Sequence, residues 1–302
     1  MDKWLEYWQQ DKLQPDVFTD KNGNKHQALL EFWQANLGKV STNTSVIDIA
    51  SGAGAVFRCL TNLSEIDAHA LDISADALAI LQQDMPSVTV HATYLNDTSF
   101  SDTTFDMVIS QFGIEYLGWA GFSQVPRLLH AGAKCVFLCH IEDGAVDITT
   151  QQSLVGLKLI ADSQFLQKAR VVAEAFKQDQ RSLVEEAVTA FMAVEPPVAK
   201  YCDEVPSGHH QYLYDGVKTM LSNYNQYDHS QLIAWIETAL VQMNENIERL
   251  SSMHKAAMNQ NDINTLKNNL AELGLVIDKA EPFYLRAQDP PVAWEIHGTQ
   301  SS

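Results

Sequence analysis

The chain has 302 residues, of which 46% are hydrophobic and 19% charged, enough for one large α/β domain or a core domain with a smaller companion. Its net charge is −18, from 38 acidic and 20 basic residues; this average field repels a nucleic-acid backbone and favours a small-molecule partner. The absence of an 18-residue apolar run and of signal-peptide features at the N-terminus predicts a cytoplasmic protein without a membrane span.

Short apolar runs alternate with helical patterns along the first half of the chain. Residues 1–38 are predicted to be helical and rich in aromatic side chains. Strands are predicted at 45–50, 66–73, 87–95, 105–112 and 134–141, and helical segments at 54–63, after Ser74, and between the fourth strand and His130. Such alternation predicts a parallel sheet with helices on both faces.

The alternation ends after Asp143. Residues 150–194 are predicted to be helical up to Pro196-Pro197, and a long helix follows Asp228. Two closing strands, "LVIDKAEPFYLR" and "VAWEIHGT", complete the chain. We therefore predict an N-terminal cap over 1–38, a sheet domain over 39–143 and 260–302, and a helical insertion over 144–259 that caps the substrate.

A glycine loop, "VIDIASGAGAVF" (46–57), joins the first strand to the next segment. Such loops let backbone amides approach a ligand, here either a dinucleotide or S-adenosylmethionine. The dinucleotide fingerprint G-x-G-x-x-G would need a small residue at Phe57, and Asp48 would lie poorly beside a pyrophosphate. An acid in that position suits a ligand that carries an ammonium group.

The segment Asp48-Ile49-Ala50-Ser51-Gly52-Ala53-Gly54 resembles the first motif of the class I S-adenosylmethionine-dependent methyltransferases. "ALDIS" (70–74) resembles the family's second strand, whose terminal acid binds the ribose, and "TTFDMVISQFGIEYL" (103–117) resembles its fourth strand. The resemblance implies a doubly wound, seven-stranded, mostly parallel sheet whose last strand is antiparallel. It also implies that S-adenosyl-L-methionine is bound by Asp48, Ala50, Ser51, Gly52, Gly54, Asp72, Ile73, Tyr94, Leu95, Gln111 and Phe112.

The adenine end departs from the family pattern. Tyr94 and Leu95 fall where the third strand usually ends in an acid, so that Tyr94 is predicted to stack on the adenine or accept from it. Asp97 is the alternative acceptor. The opening "WLEYWQQDKLQPDVF", in which Trp4 and Trp8 lie one helical turn apart, resembles thiopurine-methyltransferase-like proteins.

His140 is the preferred general-base candidate because it ends the fifth strand on the predicted cofactor side. Glu115 and Tyr116, just after the fourth strand, are further catalytic candidates. Each has a structural alternative, such as a hydrogen-bonded strand-end histidine. His209, His210, Tyr212 and Tyr214 are candidates for a lid or for packing. No H-x-x-x-H or C-x-x-C pattern occurs, and no metal site is predicted.

These observations predict a methyltransferase, monomeric or homodimeric, that acts on a small molecule. A nucleic-acid or protein methyltransferase is the alternative within the family. It is disfavoured by the acidic balance and by Ser110-Gln111-Phe112-Gly113 in place of an N-P-P-[YF] motif. A non-catalytic or regulatory S-adenosylmethionine-binding protein and a nicotinamide-dependent oxidoreductase remain as alternatives outside it.

Overall fold

The computed structural model describes residues 26–38, 40–98, 100–178 and 180–301. The chain divides into two compact units, one formed by Met1–Asp147 with Lys255–Ser302 and the other by Ile148–His254. The first carries the β-sheet and the second is helical. Trp4, Trp8 and most of the predicted N-terminal cap lie outside the described residues.

The sheet of the first unit has seven strands in the spatial order β3-β2-β1-β4-β5-β7-β6. Their bounds are β1 Ser45–Ile49, β2 Asp67–Asp72, β3 Thr89–Ala92, β4 Phe105–Gln111, β5 Leu129–His140, β6 Leu275–Phe283 and β7 Ala293–Gln300. The pairs among β1 to β5 are parallel, whereas β7 runs antiparallel to both β5 and β6. The predicted doubly wound sheet with an antiparallel last strand is confirmed.

Alternate residues of each central strand enter two separate cores. On β1, Val46 packs with the core that contains helices α1 (Gln27–Leu37) and α2 (Ala75–Asp84). Ile47 and Ile49 pack with the core on the opposite face, which contains α3 (Gly118–Phe122), α4 (Val125–Leu128) and α11 (Gln260–Glu272). This two-residue period explains why strands buried on both faces read as nearly continuous apolar runs.

The helical unit is built from α5 Ala145–Asp162, α6 Phe165–Gln178, α7 Arg181–Met192, α8 Glu195–Glu204, α9 His209–Ser222 and α10 His229–Ala256. Their buried apolar side chains form one core of their own, with Phe165, Leu213 and Ile236 among its members. The predicted long helix after Asp228 is confirmed as α10. No helix of the described residues is long and apolar enough to span a membrane.

Two local predictions are wrong. The segment predicted as a helix at 54–63 forms only a short 3₁₀ turn at Phe57–Cys59, because Gly52 and Gly54 both have positive φ and Leu60 is extended. The predicted helix ending at His130 gives way to β5, which begins at Leu129. The helical stretch predicted to end before Pro196-Pro197 does end there, since α7 stops at Met192. The two prolines then lie in the first turn of α8, where the N–H that proline lacks is unused.

Candidate active site

The loop after β1 is held in an unusual backbone conformation. Ala50, Gly52 and Gly54 have φ angles of 54°, 52° and 85°, in the left-handed region that glycine occupies without strain. The Ser51 N–H donates to the Leu71 carbonyl at 3.1 Å and the Gly54 N–H donates to the Ser51 carbonyl at 2.9 Å. These contacts tie the loop to β2 and to itself.

Asp72, at the end of β2, is joined directly to this loop. Its Oδ2 accepts from the Gly52 N–H at 2.9 Å, and its Oδ1 accepts from the Ser74 N–H at 2.8 Å. Burial raises the pKa of the Asp72 carboxyl above 3.8, although the N–H donors of Ser74, Gly52 and Ile73 act against that rise. The structure thus brings together the two acid-containing motifs that the sequence placed 24 residues apart.

Other polar atoms of the loop are also withdrawn from water. Asp48 is 1% exposed and Ser51 is 7% exposed. The Ser51 hydroxyl makes no hydrogen bond within the described residues. A buried hydroxyl without a partner is costly, which makes it a natural contact for a polar ligand at this loop.

The end of β4 closes tightly against the same loop. Ser110 Oγ donates to the Ile49 carbonyl at 2.7 Å and accepts from the Ile114 N–H at 3.0 Å. A Cβ at Gly113 would lie 2.6 Å from the Ala50 Cβ. The absence of a side chain at Gly113 therefore permits the approach of the two strand ends.

Gln111 and Phe112, both predicted to bind the cofactor, have defined partners. The Trp33 indole N–H donates to Gln111 Oε1 at 2.6 Å, which links α1 to the end of β4. Phe112 has a φ of 54°, and its N–H donates to the Leu138 carbonyl at 2.7 Å. This conformation directs the chain out of the sheet into the segment that carries Glu115.

The three catalytic candidates meet at the ends of β4 and β5. His140 Nδ1 lies 2.7 Å from Glu115 Oε1, which also accepts from the His140 backbone N–H at 2.9 Å. The side chains are 7% and 1% exposed. The Tyr116 and His140 rings are 5.7 Å apart edge to face, and the Phe112 ring lies 4.7 Å from that of His140.

Cys139 and Met258 belong to the same cluster, although the sequence alone did not select them for a site. Burial, followed by the charge of Glu115 and a hydrogen bond with it, raises the pKa of the Cys139 thiol well above 9.0. The Met258 N–H donates to the His140 carbonyl at 2.9 Å. No local signal indicated Met258, because its contact depends on how a distant segment returns to β5.

The remaining candidates are carried by other elements of the structure. Tyr94 is 40% exposed beyond β3, its side chain makes no hydrogen bond within the described residues, and neighbouring Leu95 is buried. His209, His210, Tyr212 and Tyr214 all belong to α9 of the helical unit. Within the described part of the chain, no group of three or more His, Cys, Asp or Glu residues could hold a metal ion.

Comparison with known proteins gives one family match. A methyltransferase-domain family model matches residues 46–132, which span β1 to the first part of β5 and include the glycine loop, Asp72 and Glu115. No curated protein matches the chain significantly.

Similar solved structures are methyltransferases of low sequence identity. The plantazolicin methyltransferase BpumL has a TM-score of 0.46 and 11% identity, over 91% of this chain and 82% of that chain. A putative S-adenosyl-L-methionine-dependent methyltransferase from Methanococcus maripaludis has a TM-score of 0.42 and 13% identity, over 92% and 85%. A Haloferax volcanii complex of the Trm112 methyltransferase activator with a putative methyltransferase has a TM-score of 0.35 and 20% identity. That match covers 39% of this chain and 54% of the other.

Proposed function

We propose that this chain is a class I S-adenosylmethionine-dependent methyltransferase that transfers a methyl group to a small-molecule acceptor. The match to a methyltransferase-domain model and the strand order of the sheet support this proposal. The observation that carries the proposal is the hydrogen bond from the Gly52 N–H to the Asp72 carboxylate. It joins a left-handed glycine loop to a buried acid at the carboxyl edge of the parallel strands, where ligands of such sheets bind.

The residues of this edge fit S-adenosylmethionine. The cofactor supplies a methyl group on a positively charged sulfur, and it also carries an ammonium group and two ribose hydroxyls. Asp48 and Asp72 provide carboxylates at the ends of β1 and β2. The unpartnered Ser51 hydroxyl provides hydrogen-bonding capacity for a further polar group of the ligand.

Each residue then has a distinct role. The Asp72 carboxylate would accept from the ribose hydroxyls, because it has about four lone-pair sites and backbone N–H groups take only some of them. Asp48, Ala50, Ser51, Gly52 and Gly54 would hold the methionine end. Ile73 would contact the ribose, and Tyr94, Leu95, Gln111 and Phe112 would serve the adenine side and the rim.

Two features favour a small-molecule acceptor over a nucleic acid. The net charge of −18 opposes a polyanion. The segment at the end of β4, where base-amine methyltransferases carry N-P-P-[YF], begins with Ser110, which is fully buried and donates a hydrogen bond to the Ile49 carbonyl. Ser110 therefore presents no amide that could orient the amine of a base.

Isothermal calorimetry with S-adenosylmethionine, S-adenosylhomocysteine and NAD tests the cofactor class. We expect binding of the first two by the wild-type protein. Asp72→Asn should weaken binding by about 10-fold to 100-fold, because a hydrogen bond to a charged group contributes about 1.5–3 kcal/mol.

Asp76→Asn is the matched control, since Asp76 is an exposed aspartate in the first turn of α2. Its affinity for S-adenosylmethionine should equal that of the wild type. Binding of NAD alone would reject the cofactor class, and equal affinities in the two variants would remove Asp72 from the site. The acceptor class is tested by comparing methylation of small-molecule pools with that of RNA and protein pools.

A further inference from the structure

The Glu115–His140 pair is held more firmly than a strand-end histidine requires. One carboxylate oxygen, Glu115 Oε1, accepts from both the backbone N–H and the ring Nδ1 of His140. The His140 carbonyl accepts from the Met258 N–H at 2.9 Å, and Ile141 forms a β-bridge with Met258. Main chain and ring of His140 are therefore fixed by contacts from two separate segments.

The arrangement determines which ring nitrogen is able to take a proton. Nδ1 faces a carboxylate, so it carries the proton of the neutral ring and donates it to Glu115. Nε2 makes no hydrogen bond within the described residues. It is thus left as a free acceptor.

We propose that Glu115 is a positioning residue that holds His140 in the Nδ1–H form, and that His140 Nε2 is the general base for a hydroxyl acceptor on an aromatic or conjugated ring. This proposal rests on the proposed methyl transfer and deepens it by naming the acceptor class. The rings of Phe112 and Tyr116 beside His140 suit an aromatic acceptor.

The step balances in atoms and charge. The acceptor oxygen forms a bond to the methyl carbon while the carbon–sulfur bond breaks, and the sulfur keeps the bonding pair as a neutral thioether. The hydroxyl proton passes to His140 Nε2, so that the positive charge moves from sulfur to the imidazole. The imidazolium then releases its proton to water, and Glu115 compensates its charge in the interval.

A base is needed for some acceptors and not for others. A phenol ionises near pH 10, so at neutral pH it must lose its proton during the reaction. A thiol ionises near pH 8.5 and needs less assistance, a carboxylate has already lost its proton, and an arylamine reacts through a lone pair that is already free. Because His140 Nε2 is left able to accept a proton, we infer that the methyl acceptor is a hydroxyl group, which needs such a base.

Nitrogen-15 NMR of the histidine rings at pH 8, without cofactor, tests the positioning. We expect a proton on Nδ1 of His140 and none on Nε2, and a shift toward the Nε2–H form in Glu115→Ala, which removes the acceptor at Nδ1. His210 is an internal reference for the opposite form, because its Nε2 donates to the Val205 carbonyl at 3.0 Å and burial lowers its pKa. The pair of His130 Nε2 and Asp106 Oδ1, 2.6 Å apart, is a carboxylate–histidine contact outside the candidate site. A proton on Nε2 of His140 in the wild type would overturn the proposal.

Turnover is measured with S-adenosylmethionine and four single-ring probes: phenol, aniline, thiophenol and benzoate. Phenol should be the preferred acceptor. His140→Gln should lower kcat about 100-fold to 10,000-fold, and Glu115→Gln about 10-fold or more with little change in KM. Glu115→Asp, which keeps the carboxylate, should recover part of the loss, and Asp106→Asn should match the wild type.

The outcomes separate this proposal from the methyltransferase assignment. A wild-type protein that fails to bind S-adenosylmethionine contradicts the proposed function. Normal cofactor binding with a preference for aniline, thiophenol or benzoate contradicts the hydroxyl assignment alone. Turnover in Glu115→Gln and ring protonation in Glu115→Ala that equal those of the wild type would return Glu115 to a structural role.

Discussion

Gly54 allows a direct test of why the glycine loop needs a glycine at this position. Its φ is +85°, and a Cβ there would lie 2.7 Å from Met85 Cε and 2.8 Å from Leu81 Cδ1. Gly54→Ala therefore carries two separate costs. A left-handed backbone costs an alanine about 1–2 kcal/mol, and the overlap with α2 adds about 1–2 kcal/mol, in the lower part of the range for overpacking because the Met85 methyl can move.

Gly132→Ala separates the two costs. Gly132 has a φ of +80°, and nothing lies within 4 Å of its Cβ position, so this variant carries only the backbone cost of about 1–2 kcal/mol. Urea-induced unfolding followed by circular dichroism should give a loss of about 2–4 kcal/mol for Gly54→Ala. Calorimetry should show weaker S-adenosylmethionine binding for Gly54→Ala only.

Equal losses of stability in the two variants would refute the close approach of the loop to α2. Unchanged cofactor affinity in Gly54→Ala, together with the expected loss of stability, would show that the loop conformation is structural and does not shape the binding site.

Three further outcomes are expected. Affinity for S-adenosylmethionine should fall as the pH drops through the pKa of Asp72, because the ribose contact needs the ionised carboxylate. Burial raises this pKa above 3.8, and calorimetry at a series of pH values measures the fall in affinity. Glu195→Gln should cost about 1 kcal/mol at pH 7 in urea unfolding, because Glu195 Oε1 accepts from Lys218 Nζ at 2.8 Å. Gly156→Ala should cost about 1–3 kcal/mol in the same assay, since its Cβ would lie 2.4 Å from Cγ of the fully buried His210 ring.

Each of these outcomes has its own control. The pH dependence of cofactor affinity should disappear in Asp72→Asn, and its persistence would assign it to another group.

The hydrogen bond from Lys218 holds the pKa of Glu195 below 4.5. Its contribution to stability is therefore present above pH 4.5 and is lost as the pH falls through the folded-state pKa. A Glu195→Gln difference that grows in acid would contradict this.

For Gly156→Ala, the control is the double variant with His210→Ala. Removing the ring should relieve the overlap, so the double variant should be more stable than the sum of the two single changes predicts. Strict additivity would show that the methyl group does not meet His210.

Local patterns in the sequence were sufficient for the strands and for much of the candidate site. The fully buried strands appear as apolar runs, and the glycine loop with Asp48 and Asp72 indicates a ligand at one edge of the sheet. These patterns gave a wrong prediction where residues compatible with a helix follow a backbone conformation that a helix cannot adopt. The segment 54–63 has helix-compatible residues, yet the left-handed angles of Gly52 and Gly54 prevent a regular helix from starting there.

Placement at the ends of β4 and β5 made Glu115 and His140 separate candidates in the sequence, 25 residues apart. Only the parallel pairing of β4 with β5 brings Glu115 Oε1 within 2.7 Å of the His140 ring. The same holds for Met258, whose N–H donates to the His140 carbonyl and whose own carbonyl accepts from the Trp294 indole N–H of β7. Periodicity indicates which residues are buried, whereas strand order and register decide which of them meet. The sequence therefore determined the fold class and the glycine loop, and the tertiary structure decided that Glu115 and His140 pair.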